Sequence, residues 1–335
     1  MEFKKYHSIE NSYRKKTIDA IIEQELDKGD YIVQEKAHGA NLSFWYDGEK
    51  IKSAKRTGFI TDDFYDFESV EKKYSEYIID LHKILKDDGY DFEILVIYGE
   101  LIGGTYPHKD VLKDTSATRI QKGIFYTPHN DFYAIDMTLD GQLQDIDTFT
   151  KYMEKRGFLY AKTLFKGSLS DCLNYPNKFQ SQIHKWIGLP EIEDNCCEGT
   201  VIKPVKPLFF RNTERVILKN KNEKWAEKAR KKKRPPKAKP VFSDEVKRLS
   251  EELYSFVTKN RLRNVLSKIG SIQKSEFGKL MKEFSKDCIE DFNKDHSTFF
   301  NQLEKKEQKY ITTNLNKACS NLIRADFMNI VDGNF

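Results

Sequence analysis

Apolar and polar residues follow one another in short runs over the first two-thirds of the chain, and recur at helical spacing over the last third. Tyr31 to Lys36 and Leu42 to Tyr46 read as short strands, and Asp47-Gly48 supplies a tight turn before a third strand at Lys50 to Ala54. Between Asp62 and Asp88 the pattern changes. Val70, Tyr74, Ile78, Leu81 and Leu85 recur every three or four residues, the spacing of one buried helix face, and Gly89 ends it. Strands return at Phe92 to Tyr98, Phe132 to Met137, Thr200 to Lys203 and Val216 to Lys219. The pattern lapses from Lys224 to Pro240, where the run KARKKKRPPKAKP is basic, broken by proline and too polar to pack, as in an exposed linker. Beyond Ser243, an N-cap residue followed by acidic first-turn residues, the periodicity is helical throughout. Val246, Leu249, Leu253 and Phe256 form one stripe, Phe284, Cys288 and Phe292 a second, and Ile311, Leu315, Ala318 and Leu322 a third, with breaks at Gly270 and Gly278. No internal repeat is visible. The expected fold is α+β: antiparallel sheets with flanking helices over residues 1–225, a basic linker over 226–242, and a small all-helical domain over 243–335.

Length agrees with that division, since 335 residues suit about two domains. Phe 23, Tyr 17 and Trp 3 are ample for a core, which excludes a disordered chain. The five cysteines, Cys172, Cys196, Cys197, Cys288 and Cys319, form no CxxC pair, which argues against a zinc ribbon or a disulfide framework. Neither a secretory signal nor an apolar run long enough to span a membrane is expected, so the chain reads as soluble and cytoplasmic. Lys+Arg 57 against Asp+Glu 52 leaves +5, a mild excess whose weight depends on where it is concentrated.

Five strings place ionisable groups at strand ends or beside turns: EKAHG at Glu35 to Gly39, KRTG at Lys55 to Gly58, YGE at Tyr98 to Glu100, EGTVIKP at Glu198 to Pro204, and LKNK at Leu218 to Lys221. A lysine such as Lys36, after a strand and before His38-Gly39, can serve as a nucleophile once burial or nearby cations favour its neutral form. Lys219 and Lys221, two apart, face the same side of a strand and suit a phosphate pocket. Glu100 and Glu198 offer acceptors for a sugar hydroxyl or a divalent metal. Taken singly, each lysine is more often a solvated surface charge, and His38 more often a hydrogen-bonded structural residue. No phosphate loop or GxGxxG is present.

The order and spacing of KAHG, KRTG, YGE, FYAID, EGTVIKP and RVILKNK resemble the covalent nucleotidyltransferase superfamily of ligases and capping enzymes. Within it the chain is similar to the phage RNA ligase 2 and kinetoplastid RNA-editing ligase family. KxHG followed by Asn41 favours that branch, and FVTKNRLRNVLSKIG at Phe256 to Gly270 resembles its helical C-terminal domain. The resemblance implies an ATP-dependent RNA ligase that joins 3′-hydroxyl and 5′-phosphate ends, at nicks in duplex RNA, as a monomer using Mg²⁺ or Mn²⁺. It makes Lys36 the residue that carries AMP and places Glu35, Ala37, Asn41, Arg56, Glu100 and Ile135 around the nucleotide, with His38 beside them. Lys219 and Lys221 would contact phosphate, and Glu198, with Asp136, would serve the metal. Ile135 departs from the family, which commonly has an aromatic residue stacked on adenine there. DNA ligases and capping enzymes are disfavoured, because they usually carry a β-barrel where this chain turns helical. A non-catalytic RNA-binding relative would have no physical need of the intact lysine and glutamate set.

Overall fold

The computed structural model describes residues 1–225 and 242–335, so the expected basic linker lies, but for Phe242, outside the described residues. The chain divides into two units, Met1–Lys224 and Trp225–Phe335. In the first, the strands β1 (Glu10–Asn11), β2 (Tyr31–Glu35), β9 (Thr163–Gly167), β10 (Gly199–Pro204) and β11 (Leu218–Lys221) form one sheet, in the order β1-β11-β10-β2-β9. The strands β3 (Ala40–Tyr46), β4 (Ile51–Lys55), β5 (Gly58–Phe59), β6 (Leu95–Gly103), β7 (Asn130–Leu139) and β8 (Gln142–Leu143) form another, in the order β5-β4-β3-β6-β7-β8. All pairings are antiparallel except β1 with β11, which is parallel.

Strand alternation decides what each sheet face meets. On the six-stranded sheet, Leu42, Phe44, Ile97, Leu101, Phe132 and Met137 point to one side and pack under α2 (Phe67–Asp87) and α3 (Ile146–Arg156). The α2 stripe is the one the periodicity marks: Val70, Tyr74, Ile78, Leu81 and Leu85 are all buried. Burial of each such side chain is worth about 1.5–3 kcal/mol. On the five-stranded sheet, Tyr31, Val33, Ile202 and Leu218 turn to the side covered by α1 (Lys15–Glu23) and α4 (Leu169–Asn174), through Ile21, Leu169 and Cys172, and a short α5 (Ile183–Trp186) follows α4 along the chain. The opposite faces of the two sheets turn towards each other, since Lys203 of β10 donates to Asp136 of β7 at 2.8 Å. The turn after β3 differs from the expected tight form. It holds four residues, because the Asp47 carboxylate accepts the backbone N–H groups of Glu49 and Lys50 and so widens the loop.

The second unit is helical among its described residues: α6 (Asp244–Tyr254), α7 (Lys259–Ile269), α8 (Phe277–Phe300) and α9 (Lys305–Val331). Ser243 and Thr258 cap α6 and α7 by accepting from Val246 N and Arg261 N. Gly270 ends α7, but Gly278 lies within the first turn of α8 and breaks nothing. The third expected stripe is also displaced. Ile311, Leu315, Cys319 and Ile323 are buried, while Ala318 and Leu322 are only half-buried. Both sets obey helical spacing from Ile311, and the buried one runs in steps of four to Ile323 and then to Ile330. No helix among the described residues is long and apolar enough to cross a membrane.

Candidate active site

Lys36 follows the last residue of β2 and continues its alternation, placing it on the same face as Ile32 and Gln34. Its backbone N–H donates to Gly199 O at 3.0 Å. Gly199 in turn pairs with Lys221 across β10 and β11, so one row crossing three strands holds Lys36, the Glu198-Gly199 step and Lys221. The side chains converge accordingly. Lys36 Nζ lies 2.9 Å from Glu198 Oε2, and Lys221 Nζ lies 2.6 Å from Glu198 Oε1. His38 Nδ1 is 3.3 Å from Glu198 Oε2. Burial alone would raise the Glu198 carboxyl, but the ammonium groups of Lys221 and Lys36 outweigh it and hold the group well below the usual carboxylate range. His38 is pushed down by burial, against the pull of Glu198.

Two glycines permit this approach. A Cβ on Gly39 would lie 2.4 Å from Leu101 O, and one on Gly199, at φ +144°, would lie 2.1 Å from Asn220 O. The turn between β2 and β3 is further fixed by the His38 N–H, which donates to Tyr126 Oη at 2.8 Å.

The six-stranded sheet supplies the opposite wall. Asn41 pairs with Glu100, and Glu100 with Tyr133, so these three share the face turned towards Lys36. Burial raises the Glu100 carboxyl to about 7, partly countered by Lys36. The Glu35 side chain points away from this wall. Its Oε2 accepts from Gln182 N at 2.7 Å, and burial again raises the carboxyl to about 7. Ala37 lies in the turn, and its carbonyl accepts from Lys36 Nζ at 3.3 Å. Arg56 donates to Tyr6 O at 2.6 Å and His7 O at 3.4 Å, and its charge is sensed by Glu100. Lys219 is half-buried and shares a strand face with Lys221, pairing with Val201.

Ile135 and Asp136 sit at a bulge. Tyr98 pairs with Asp136 and Gly99 with Ala134, which leaves Ile135 as the extra residue of β7. Ile135 packs against the cluster of Tyr6, Trp45 and Tyr98. The expectation that Asp136 serves a metal is corrected by its surroundings. Its Oδ1 accepts from Lys203 Nζ at 2.8 Å and Arg215 Nη2 at 3.2 Å, and its Oδ2 from Arg215 Nη1 at 2.7 Å and from the Tyr6 hydroxyl. Four donors occupy about the four lone-pair sites a carboxylate has. Burial would raise this carboxyl, but Arg215 and Lys203 hold it well below the usual range. Lys203, pushed down to about 8 by burial, also donates to Ile135 O at 2.9 Å.

Lys203, Arg215 and Tyr6 are the members that motif reading misses. An alternating position marks Lys203, which lies two residues from Val201 on the strand VIKP and so shares the face of Val201 and its partner Lys219, but no spacing points to Tyr6. Among the described residues, no group of three or more His, Cys, Asp or Glu side chains is placed to hold a metal. Magnesium-type ions often take one or two carboxylates and complete their shell with water and phosphate oxygens. Glu198 and Glu100 fit that lighter demand.

The family described as RNA ligase matches residues 29–221, and the one described as T4 RNA ligase 2 C-terminal matches residues 240–321. The mitochondrial RNA-editing ligase 2 of Trypanosoma brucei brucei is 26% identical over 348 residues, an alignment that covers 88% of this chain and 83% of that one. Solved structures of Naegleria gruberi RNA ligase variants are also similar. One with ATP and Mn has a TM-score of 0.45 at 14% identity, and one with AMP and Mn a TM-score of 0.46 at 14% identity. Each comparison covers 67% of this chain and 57% of the Naegleria chain, so the present chain spans less than two-thirds of those relatives. The first match takes in more than half of the sequence and contains the entire Lys36–Glu198–Lys221 row, and the chain belongs to the RNA ligase family.

Proposed function

We propose that this chain joins a 3′-hydroxyl to a 5′-phosphate at nicks in duplex RNA, using ATP to form a lysyl-AMP on Lys36. The observation that carries this reading is the pair of contacts on Glu198, from Lys36 at 2.9 Å and Lys221 at 2.6 Å. A nucleophilic lysine must shed a proton before it attacks the α-phosphorus. Glu198 Oε2 accepts from Lys36 Nζ at 2.9 Å and so orients the amine, while its carboxyl, held well below the usual range, is too weak a base to keep that proton. As the N–P bond forms, the bond to pyrophosphate breaks, and charge on the phosphate oxygens is offset by Lys221 and Lys219. Glu100 and Asn41 are placed to hydrogen-bond a sugar hydroxyl on the facing wall, and Val201 and Ile135 offer aliphatic surface to a base.

AMP then passes from Lys36 to the 5′-phosphate of the RNA, giving a 5′-5′ pyrophosphate linkage, and attack by the 3′-hydroxyl releases AMP. A divalent ion bound by Glu198 and Glu100 would add neutralisation of phosphate charge. The test is sealing of three substrates by the purified chain: nicked duplex RNA, single-stranded RNA and nicked duplex DNA. Fastest sealing of the nicked RNA duplex is expected. Sealing confined to the DNA nick, or none on any substrate, would contradict the proposal.

A further inference from the structure

Helix α9 is 27 residues long, and its apolar seam of Ile311, Leu315, Cys319 and Ile323 is buried in the core of its own unit. The opposite side is exposed and unusual in charge. Lys306, Lys309, Thr313, Asn316, Lys317 and Arg324 are all exposed and lie on one stripe at helical spacing. The stripe extends over about 27 Å at the helical rise of about 1.5 Å per residue. Between Glu307 and Asp326 the helix contains no carboxylate at all.

Most cations of the neighbouring helices have a carboxylate partner. On α7, Lys259 pairs with Asp326 at 2.6 Å, Arg261 with Asp287 at 2.7 Å and Asp291 at 2.6 Å, and Lys268 with Asp287 at 2.5 Å. On α8, Lys279 and Lys286 pair with Glu276 and Glu290. On α9, Lys306 pairs with Glu304 at 2.8 Å, whereas Lys309 and Lys317 make no ion pair among the described residues. Cations kept together without acidic neighbours repel one another unless an anion lies over them. The Thr and Asn between them can exchange hydrogen bonds with sugar hydroxyls.

We infer that this face of α9 is a docking surface for the sugar–phosphate backbone of an RNA duplex. Duplex RNA is held chiefly through phosphates and 2′-hydroxyls, which suits a stripe of Lys and Arg interleaved with Thr and Asn. An anionic lipid surface fits less well, because membrane-surface helices need an apolar side to insert and that of α9 is already buried. The inference rests on the proposal that RNA is the substrate, and concerns where the unit grips it.

The test compares the full chain with two triple variants of equal charge change: Lys309→Gln, Lys317→Gln and Arg324→Gln on α9, and Lys279→Gln, Lys282→Gln and Lys286→Gln on α8. Glutamine keeps helix propensity close to that of lysine, and circular dichroism checks the fold. Affinity for a nicked RNA duplex is measured across salt concentrations. The α9 variant is expected to bind about 10²-fold more weakly near 0.1 M salt, with the salt slope reduced by about two to three, and the α8 variant to bind as the parent does. Labelling by α-labelled ATP should be equal in all three. Parent-like RNA affinity in the α9 variant, or equal losses in both variants, would overturn the inference. So would loss of binding to phosphatidylserine vesicles with RNA binding intact. A parent that binds RNA through α9 but takes no label from ATP would contradict the proposed chemistry and leave the docking surface standing.

Discussion

Replacing Arg215 by Met tests the buried charge network beneath the proposed nucleotide site. Arg215 and Asp136 are almost wholly excluded from water, each with a side chain only 2% exposed, and the guanidinium contacts both carboxylate oxygens, at 2.7 and 3.2 Å. Met keeps much of the volume and removes the charge. Asp136 would then retain Lys203 at 2.8 Å and the Tyr6 hydroxyl. Removing one partner of a buried pair costs about 3–5 kcal/mol, because the remaining charge is left undercompensated. That is a large share of the total stability of a domain, about 5–15 kcal/mol.

Tryptophan emission follows urea unfolding of the first unit once Trp225, the first residue of the second unit, is replaced by Phe in parent and variant alike, since the other two tryptophans, Trp45 and Trp186, both lie in the first. The pH dependence has a definite sign. Asp136 titrates lower in the folded chain than its ordinary value of 3.8, so its contribution is present above that value and is lost as pH falls through the folded pKa. The deficit of the variant should therefore be steady from pH 5 to 8 and shrink on acidification below about 4. Combining Arg215→Met with Asp136→Asn should cost at least about 1 kcal/mol less than the two single losses added together. A deficit under about 1 kcal/mol at pH 7, or one that grows with acid, would refute the reasoning.

Two further outcomes follow from the geometry. Glu35→Gln should stabilise the chain at pH 8 by about 3 kcal/mol relative to pH 5. Burial raises this carboxyl from 4.5 to about 7, so its favourable neutral form is lost as pH rises through 7; melting temperatures of parent and variant across pH 5–8 check this, and a pH-independent difference would count against it. Gly199→Ala would set a Cβ 2.1 Å from Asn220 O and 2.8 Å from Lys221 Cα. The displaced β11 should slow lysyl-AMP formation by about 10²-fold, read from single-turnover labelling, and an unchanged rate would show that the Gly199–Lys221 pairing does not position the site.

Much of this arrangement was legible before any coordinates. Lys36, Glu198 and Lys221 stand at strand ends, where alternation and a neighbouring glycine announce a close approach, and the helix over Val70 to Leu85 declares its buried face by period alone. What stayed hidden depended on contacts between distant residues. Tyr6 reaches Asp136 across 130 positions, and Arg215 reaches it across 79, so no local spacing could reveal that Asp136 is spent on a buried network. The shift from Ala318 and Leu322 to Cys319 and Ile323 has a similar origin. Two seams satisfy the same spacing, and only the packing of α9 against α6 and α8 chooses between them. The turn after β3 was misread because a side-chain acceptor, Asp47, competes with the two-residue form.

The most direct measurement is to incubate the purified chain with magnesium and α-labelled ATP, with α-labelled GTP in parallel, and to follow both by denaturing electrophoresis and peptide mapping. The account predicts acid-labile label from ATP alone, carried on the peptide that contains Lys36 and absent from Lys36→Ala. Label on another residue, label from GTP instead, or label that survives in Lys36→Ala would contradict it.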